Sequence, residues 1–321
     1  MTPEIRRLLT AVKPSNELHA DSYDVGFFAI GYERRSRFVA NYLSKQTKAL
    51  FGLEYPSVEL AFHENKAFSH RQGVNEIKLA EMGYRADRKS RFSQFVRESV
   101  EKYTSVTAHK KIFVDVSSMD RSLIARLLNS IFAEVRPPFT LRVCYAPAIF
   151  REPSYAFVPV RECAPAIPEL SGELGIHQSS LTLLLGLGFE FGVSLGLLQQ
   201  FEADHAIIFV PEGADARYDR AVRKANFDLD FGSQSARVFP YHVKQPIATF
   251  ETLFSLSGAA SVTHRVVIAP NGPKIFAALS TVIALFRAPH VAVLRASLAS
   301  NIPSHHIEAD GSIVAIDFVC A

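Results

Sequence analysis

The chain has 321 residues, 48% hydrophobic and 21% charged, which fits two globular domains of about 150 residues each and excludes a disordered polymer. The formal net charge of +3 is unevenly spread: residues 1–165 carry 25 Lys/Arg against 18 Asp/Glu, and residues 166–321 carry 10 against 14. Cys144, Cys163 and Cys320 show neither metal-ligand nor secretory spacing, and Met1–Arg7 has no apolar run, so a cytoplasmic chain without a signal peptide is expected.

In chain order, residues 2–13 read as a short helix ended by Pro14. Val25–Ile30 is an apolar strand closed by Gly31, and a helix follows to about Lys45. Ala49–Leu53 and Val58–Phe62 read as strands, 63–75 as a polar loop, and 76–104 as one or two helices broken near Gly83. Lys111–Val116 is a strand, Leu123–Val135 a helix stopped by Pro137-Pro138, and Leu141–Tyr145 a strand. Tyr155–Val160 suits an edge strand or a connection.

Residues 161–180 have weak periodicity and several Pro and Gly, so the boundary is expected there, giving domains 1–165 and 166–321. Leu181–Leu187 then opens a second alternation. Strands at 206–210, 238–241, 265–269 and 291–294 are interleaved with helices at 188–201, 215–225, 247–256 and 275–286. Ile313–Val319 closes it as an edge strand. Leu181–Leu198 is nearly long enough to span a bilayer, but Glu190 and four glycines make strand, turn and helix the better reading, so no membrane partner is expected. The fold class is therefore α/β: two Rossmann-like lobes with mostly parallel sheets, related by internal duplication.

The duplication shows in paired junctions. Ile30-Gly-Tyr-Glu33 matches Leu187-Gly-Phe-Glu190, and Asp115-Val-Ser-Ser-Met-Asp-Arg121 matches Ala269-Pro-Asn-Gly-Pro-Lys274, at offsets of 157 and 154. All four follow apolar strands and open helices, where α/β folds bind ligands. Gly186, Gly188 and Gly192 form a variant of the dinucleotide fingerprint, with Glu212 at the distance of a ribose-binding acid and Glu54 as its counterpart. A nicotinamide or flavin stays open, and no cofactor is assigned. Arg34, Arg35 and Arg37 oppose the helix dipole unless an anion or Glu33 neutralises them, so they read equally as phosphate ligands or as an internally paired surface.

Tyr32 and Phe189 would stack on bases or anchor the core. Ser117, Ser118 and Arg121, like Asn271, Gly272 and Lys274, suit either helix capping or an anion. His63 with His70, and the pair His305-His306, are weaker candidates for acid–base or metal chemistry.

A small polar loop with a basic residue between strand and hydrophobic helix resembles the Rossmann-like CARF sensor domains and their fused two-lobe relatives, the SAVED domains of bacterial antiphage signalling. The resemblance implies that Gly31–Arg37, Ser117–Arg121, Gly188–Glu190 and Asn271–Lys274 line one interlobe cleft around a nucleotide or oligonucleotide second messenger. It also implies a separate effector protein, a nuclease or ATPase, since no length remains for one. The function expected is a nucleotide-binding sensor or regulatory subunit. The alternatives are a nucleotide-processing enzyme using Asp115, Ser117 and Glu190, or a ligand-free scaffold.

Overall fold

The computed structural model describes all residues except 1–8, 15–21, 57–59, 85–90, 106–107, 154, 156, 158, 173–179, 214, 228–235 and 299–306. Two compact units divide the chain after Ile149 and again after Ile302. The first unit is built on a seven-stranded sheet in the order β1-β13-β6-β5-β2-β3-β4. Its strands are β1 (Leu9–Pro14), β2 (Tyr23–Ile30), β3 (Thr47–Glu54), β4 (Asn75–Lys78), β5 (Lys110–Asp115), β6 (Phe139–Tyr145) and β13 (Val314–Cys320). The second sheet has the order β10-β9-β8-β11-β12-β7. Its strands are β7 (Val160–Pro165), β8 (Leu181–Gly186), β9 (His205–Glu212), β10 (Ala236–His242), β11 (Arg265–Pro270) and β12 (Val291–Leu298).

The two sheets share a plan. In each, five strands run parallel and a sixth joins antiparallel beside the fifth: β13 on β6, and β7 on β12. Strand β2 has β3 on one side and β5 on the other, and β8 has β9 and β11 in the same way. The central strands are buried on both faces, as parallel sheets require: β8 is buried at every position, and β2 at all but Asp24. The α/β duplication is therefore the architecture of the chain.

The helices are α1 (Phe38–Leu43), α2 (Leu60–Arg71), α3 (Leu79–Met82), α4 (Arg91–Tyr103), α5 (Arg121–Glu134), α6 (Val193–Phe201), α7 (Ala216–Ala225), α8 (Pro246–Ala260) and α9 (Lys274–Arg287). Helix α9 is buried at every residue from Ile275 to Phe286, which explains its nearly unbroken apolar sequence.

Several expectations are corrected. The boundary does not fall at 165/166. β7 pairs with β12 and belongs to the second sheet, whereas β13 crosses back to the first. β13 is not an edge strand, because β1 pairs along its other side. Leu9–Pro14 is that strand rather than the end of a helix. The expected loop 63–75 is largely α2, whose inward face mixes Ala61, Phe62 and Phe68 with the polar Asn65 and Ser69, hiding its apolar period.

Candidate functional site

Each unit has one topological switch point, where consecutive connections leave a central strand in opposite directions and a crevice opens beyond the carboxyl ends. In the first unit it lies between β2 and β5, and in the second between β8 and β11. All four junctions singled out in the sequence fall there.

At the first switch point, Gly31–Glu33 leaves β2 and enters a 3-10 turn, Arg34–Arg37. The buried Asn65 of α2 donates its amide Nδ2 to the carbonyls of Gly31 and Glu33, each at 2.8 Å. Glu33 Oε2 accepts from Arg35 Nε at 2.6 Å and from Ser118 Oγ at 3.1 Å, which ties the β2 loop to the β5 loop. Arg35 also reaches the Ala146 carbonyl at 3.3 Å.

Arg34 pairs with Glu64 and Glu308, and Arg37 pairs with Glu64. The arginines that oppose the helix dipole are thus neutralised by carboxylates of their own unit. Tyr32 is exposed, at 44%.

Asp115 ends β5 fully inside the protein. Its Oδ1 accepts from the Ser117 N–H at 2.9 Å and from the Ser117 hydroxyl, while Oδ2 has no hydrogen-bond partner among the described residues. Burial pushes its carboxyl up to about 7, against the opposing pull of the Ser117 hydrogen bonds. Ser117 Oγ also accepts from the Ala146 N–H at 2.8 Å, and the residue is completely buried. Ser117 therefore joins the ends of β5 and β6, and it offers no surface to a ligand or substrate. Asp120 caps α5 through the Leu123 N–H at 2.7 Å, and Arg121 is the first residue of that helix.

The second switch point repeats this plan. The buried Asn226, at the end of α7, donates Nδ2 to the Gly188 carbonyl at 3.0 Å. The β8 and β11 loops touch: a Cβ on Gly272 would lie 2.3 Å from the Leu187 carbonyl oxygen, and one on Gly188 would lie 2.8 Å from the Asn271 oxygen. Both glycines exist for this close approach. Phe189 packs edge-on against Tyr218 at 4.5 Å between centroids and joins the core around Leu185 and Leu197, which is the anchoring role rather than the stacking one.

Glu190 is half-buried beside Gly188. Glu212 ends β9 as Glu54 ends β3, each on the strand beside the switch strand. Glu54 is bound by Lys66 at 3.0 Å. Lys274 opens α9 as Arg121 opens α5.

The sequence did not disclose the asparagines. Asn65 and Asn226 both lie in or directly after the helix that follows the third strand of their unit, and both hold the glycine carbonyl of the switch loop. Their separation of 161 residues nearly equals that of Gly31 and Gly188, and this was the available signal. With those carbonyls held, the main-chain N–H groups of Tyr32 and Glu33, and of Phe189 and Glu190, make no hydrogen bond among the described residues. Such N–H groups at a strand–helix turn suit an anion.

His63 and His70 lie exposed on α2, and His305-His306 lies outside the described residues. Among the described residues no cluster of three His, Cys, Asp or Glu could hold a metal, and no helix is long and apolar enough to cross a membrane.

No family model matches the chain, and no curated protein sequence matches it. Among solved structures, a likeness is found to phosphoethanolamine N-methyltransferase 1 of Haemonchus contortus, in complex with phosphoethanolamine and S-adenosylhomocysteine. The identity is 9% over 78% of this chain and 69% of that one, with a TM-score of 0.22, too low to carry any argument. The class of protein is set by the chain's own topology: an α/β protein of two Rossmann-like units, each doubly wound with one switch point.

Proposed function

We propose that this chain is a nucleotide-binding sensor or regulatory subunit that takes a phosphate-bearing ligand at its switch points and passes the signal to a separate effector, a nuclease or ATPase. The observation that carries the reading is the repeated construction of the two switch loops. Each has a glycine turn whose carbonyl is held by a buried asparagine, unclaimed N–H groups, and a basic residue opening the helix across the crevice. Arg121 and Lys274 are the phosphate contacts in this reading, and Glu54 and Glu212 are placed for ribose hydroxyls. Arg34 and Arg35 serve the loop through their carboxylate pairs. The place in bacterial antiphage defence rests on the resemblance to CARF and SAVED domains.

Buried Ser117 weighs against the enzymatic alternative that uses Asp115 and Ser117. Isothermal titration of ATP, cyclic mononucleotides and cyclic oligoadenylates is expected to find a ligand. Lys274→Ala and Arg121→Ala should each weaken it about tenfold or more, the scale of a charge-assisted hydrogen bond. Affinity unchanged in both variants would defeat the site, and turnover seen by mass spectrometry would favour the enzyme.

A further inference from the structure

Beside the second switch loop, three phenylalanines stand together at the surface. Phe191 stacks on Phe227 with centroids 5.8 Å apart and planes 20° from parallel, and Phe157 meets Phe191 edge-on at 6.4 Å. Phe157 and Phe227 are 64% and 70% exposed. Leaving two such rings in water forgoes apolar burial that a core would use, so the cluster reads as a contact surface.

Its border is cationic. Helix α7 turns Ala221, Val222 and Ala225 inward and leaves Arg217, Arg220, Arg223 and Lys224 exposed. These are four of the ten Lys/Arg in residues 166–321, gathered on one helix of an otherwise acidic half. Both ends of α7 stay near the carboxyl end of the sheet: Asp219 accepts from the Gly213 N–H, and Asn226 reaches Gly188. The cations are interleaved with rings, Arg217 over Phe150 at 5.1 Å and Lys224 over Tyr155 at 4.0 Å.

Three nearby acids are engaged inside the unit. Asp215 holds Arg217, Asp219 takes the Gly213 N–H, and Glu152 takes the Tyr155 hydroxyl. Arg220 and Arg223 make no ion pair among the described residues.

We infer that this surface binds single-stranded nucleic acid, with bases on Phe157 and Phe227 and phosphates along Arg220 and Arg223. Exposed π faces beside exposed guanidinium groups match a ligand that alternates flat apolar rings with anions. A duplex hides its base faces, and a second copy of this chain would bring four more cations to the same helix face. The inference rests on the nucleotide reading of the adjoining switch loop and extends it from a small ligand to a strand.

The test is fluorescence anisotropy of the full chain with labelled 12-nucleotide single-stranded RNA and DNA, run beside ATP titration of the crevice. Both strands are arms of the test, and binding of either supports the inference. Phe157→Ala and Phe227→Ala, exposed and therefore compatible with folding, should each weaken strand binding about tenfold and leave ATP binding unchanged. Arg220→Ala with Arg223→Ala should lower the slope of log affinity against log salt by about 1.4.

The inference is overturned by equal affinity for the matching duplex, by strand binding indifferent to both phenylalanine variants, or by a dimer that Phe227→Ala dissolves. ATP binding without strand binding removes this inference alone. Absence of both removes the nucleotide reading as well.

Discussion

Asp317→Ala should strongly destabilise the first unit. The ladder register sets Asp317 of β13 opposite Arg142 of β6, and the two form a bidentate pair at 2.7 and 2.8 Å with side chains 5% and 7% exposed. Arg142 also donates to the Tyr23 hydroxyl and lies 5.5 Å from that ring's centroid. Removing the carboxylate leaves a guanidinium buried between strands without its bidentate counter-charge, a change that costs about 3–5 kcal/mol. In a unit of this size that corresponds to a fall of about 6–20 °C in Tm.

Thermal and urea unfolding followed by far-ultraviolet circular dichroism measures the loss. The double variant Arg142→Met/Asp317→Leu should recover most of it, because apolar side chains need no counter-charge. A single variant within about 1 kcal/mol of the parent, or a double variant no better than the single, would refute the reasoning.

Three other expectations are open to measurement. Asp115 has a carboxyl raised from 3.8 to about 7 by burial, so the unfolded chain ionises first and the residue costs stability as pH rises through that window, by on the order of 4 kcal/mol at most. Asp115→Asn keeps the acceptor for Ser117 and removes the charge, so its Tm advantage over the parent should be small near pH 4 and grow up to pH 7.5. A difference constant with pH would sink the assignment. Asn65→Leu and Asn226→Leu each strip buried carbonyls of a donor and should cost about 1–3 kcal/mol. Asn65→Asp and Asn65→Leu should weaken ATP affinity alike, whereas an affinity unchanged by either would show that the loop holds its shape alone.

Much of this architecture was legible because glycine turns after apolar runs fix where parallel strands end. Ile30-Gly31 and Leu187-Gly188 located both switch points, and their common offset revealed the duplication. Partner choice was not legible. Val160–Pro165 and Val314–Cys320 are ordinary alternating strands, and alternation says which face is buried but not which sheet supplies the neighbour.

The arginine run 34–37 was ambiguous for a related reason. Its carboxylate partners, Glu64 and Glu308, lie 30 and 274 residues from Arg34, beyond any local pattern. Helix α2 was hidden because Asn65 and Ser69 are buried polar residues, which break an apolar period, and Asn65 serves the loop above it.

The two antiparallel strands have changed places. The strand that follows β6 in sequence completes the second sheet, and the strand that follows β12 completes the first. On the ribosome, β6 therefore waits with an open edge until Val314–Cys320 has been made. A sheet whose parallel strands lie before residue 146 is closed only by a strand made after residue 313.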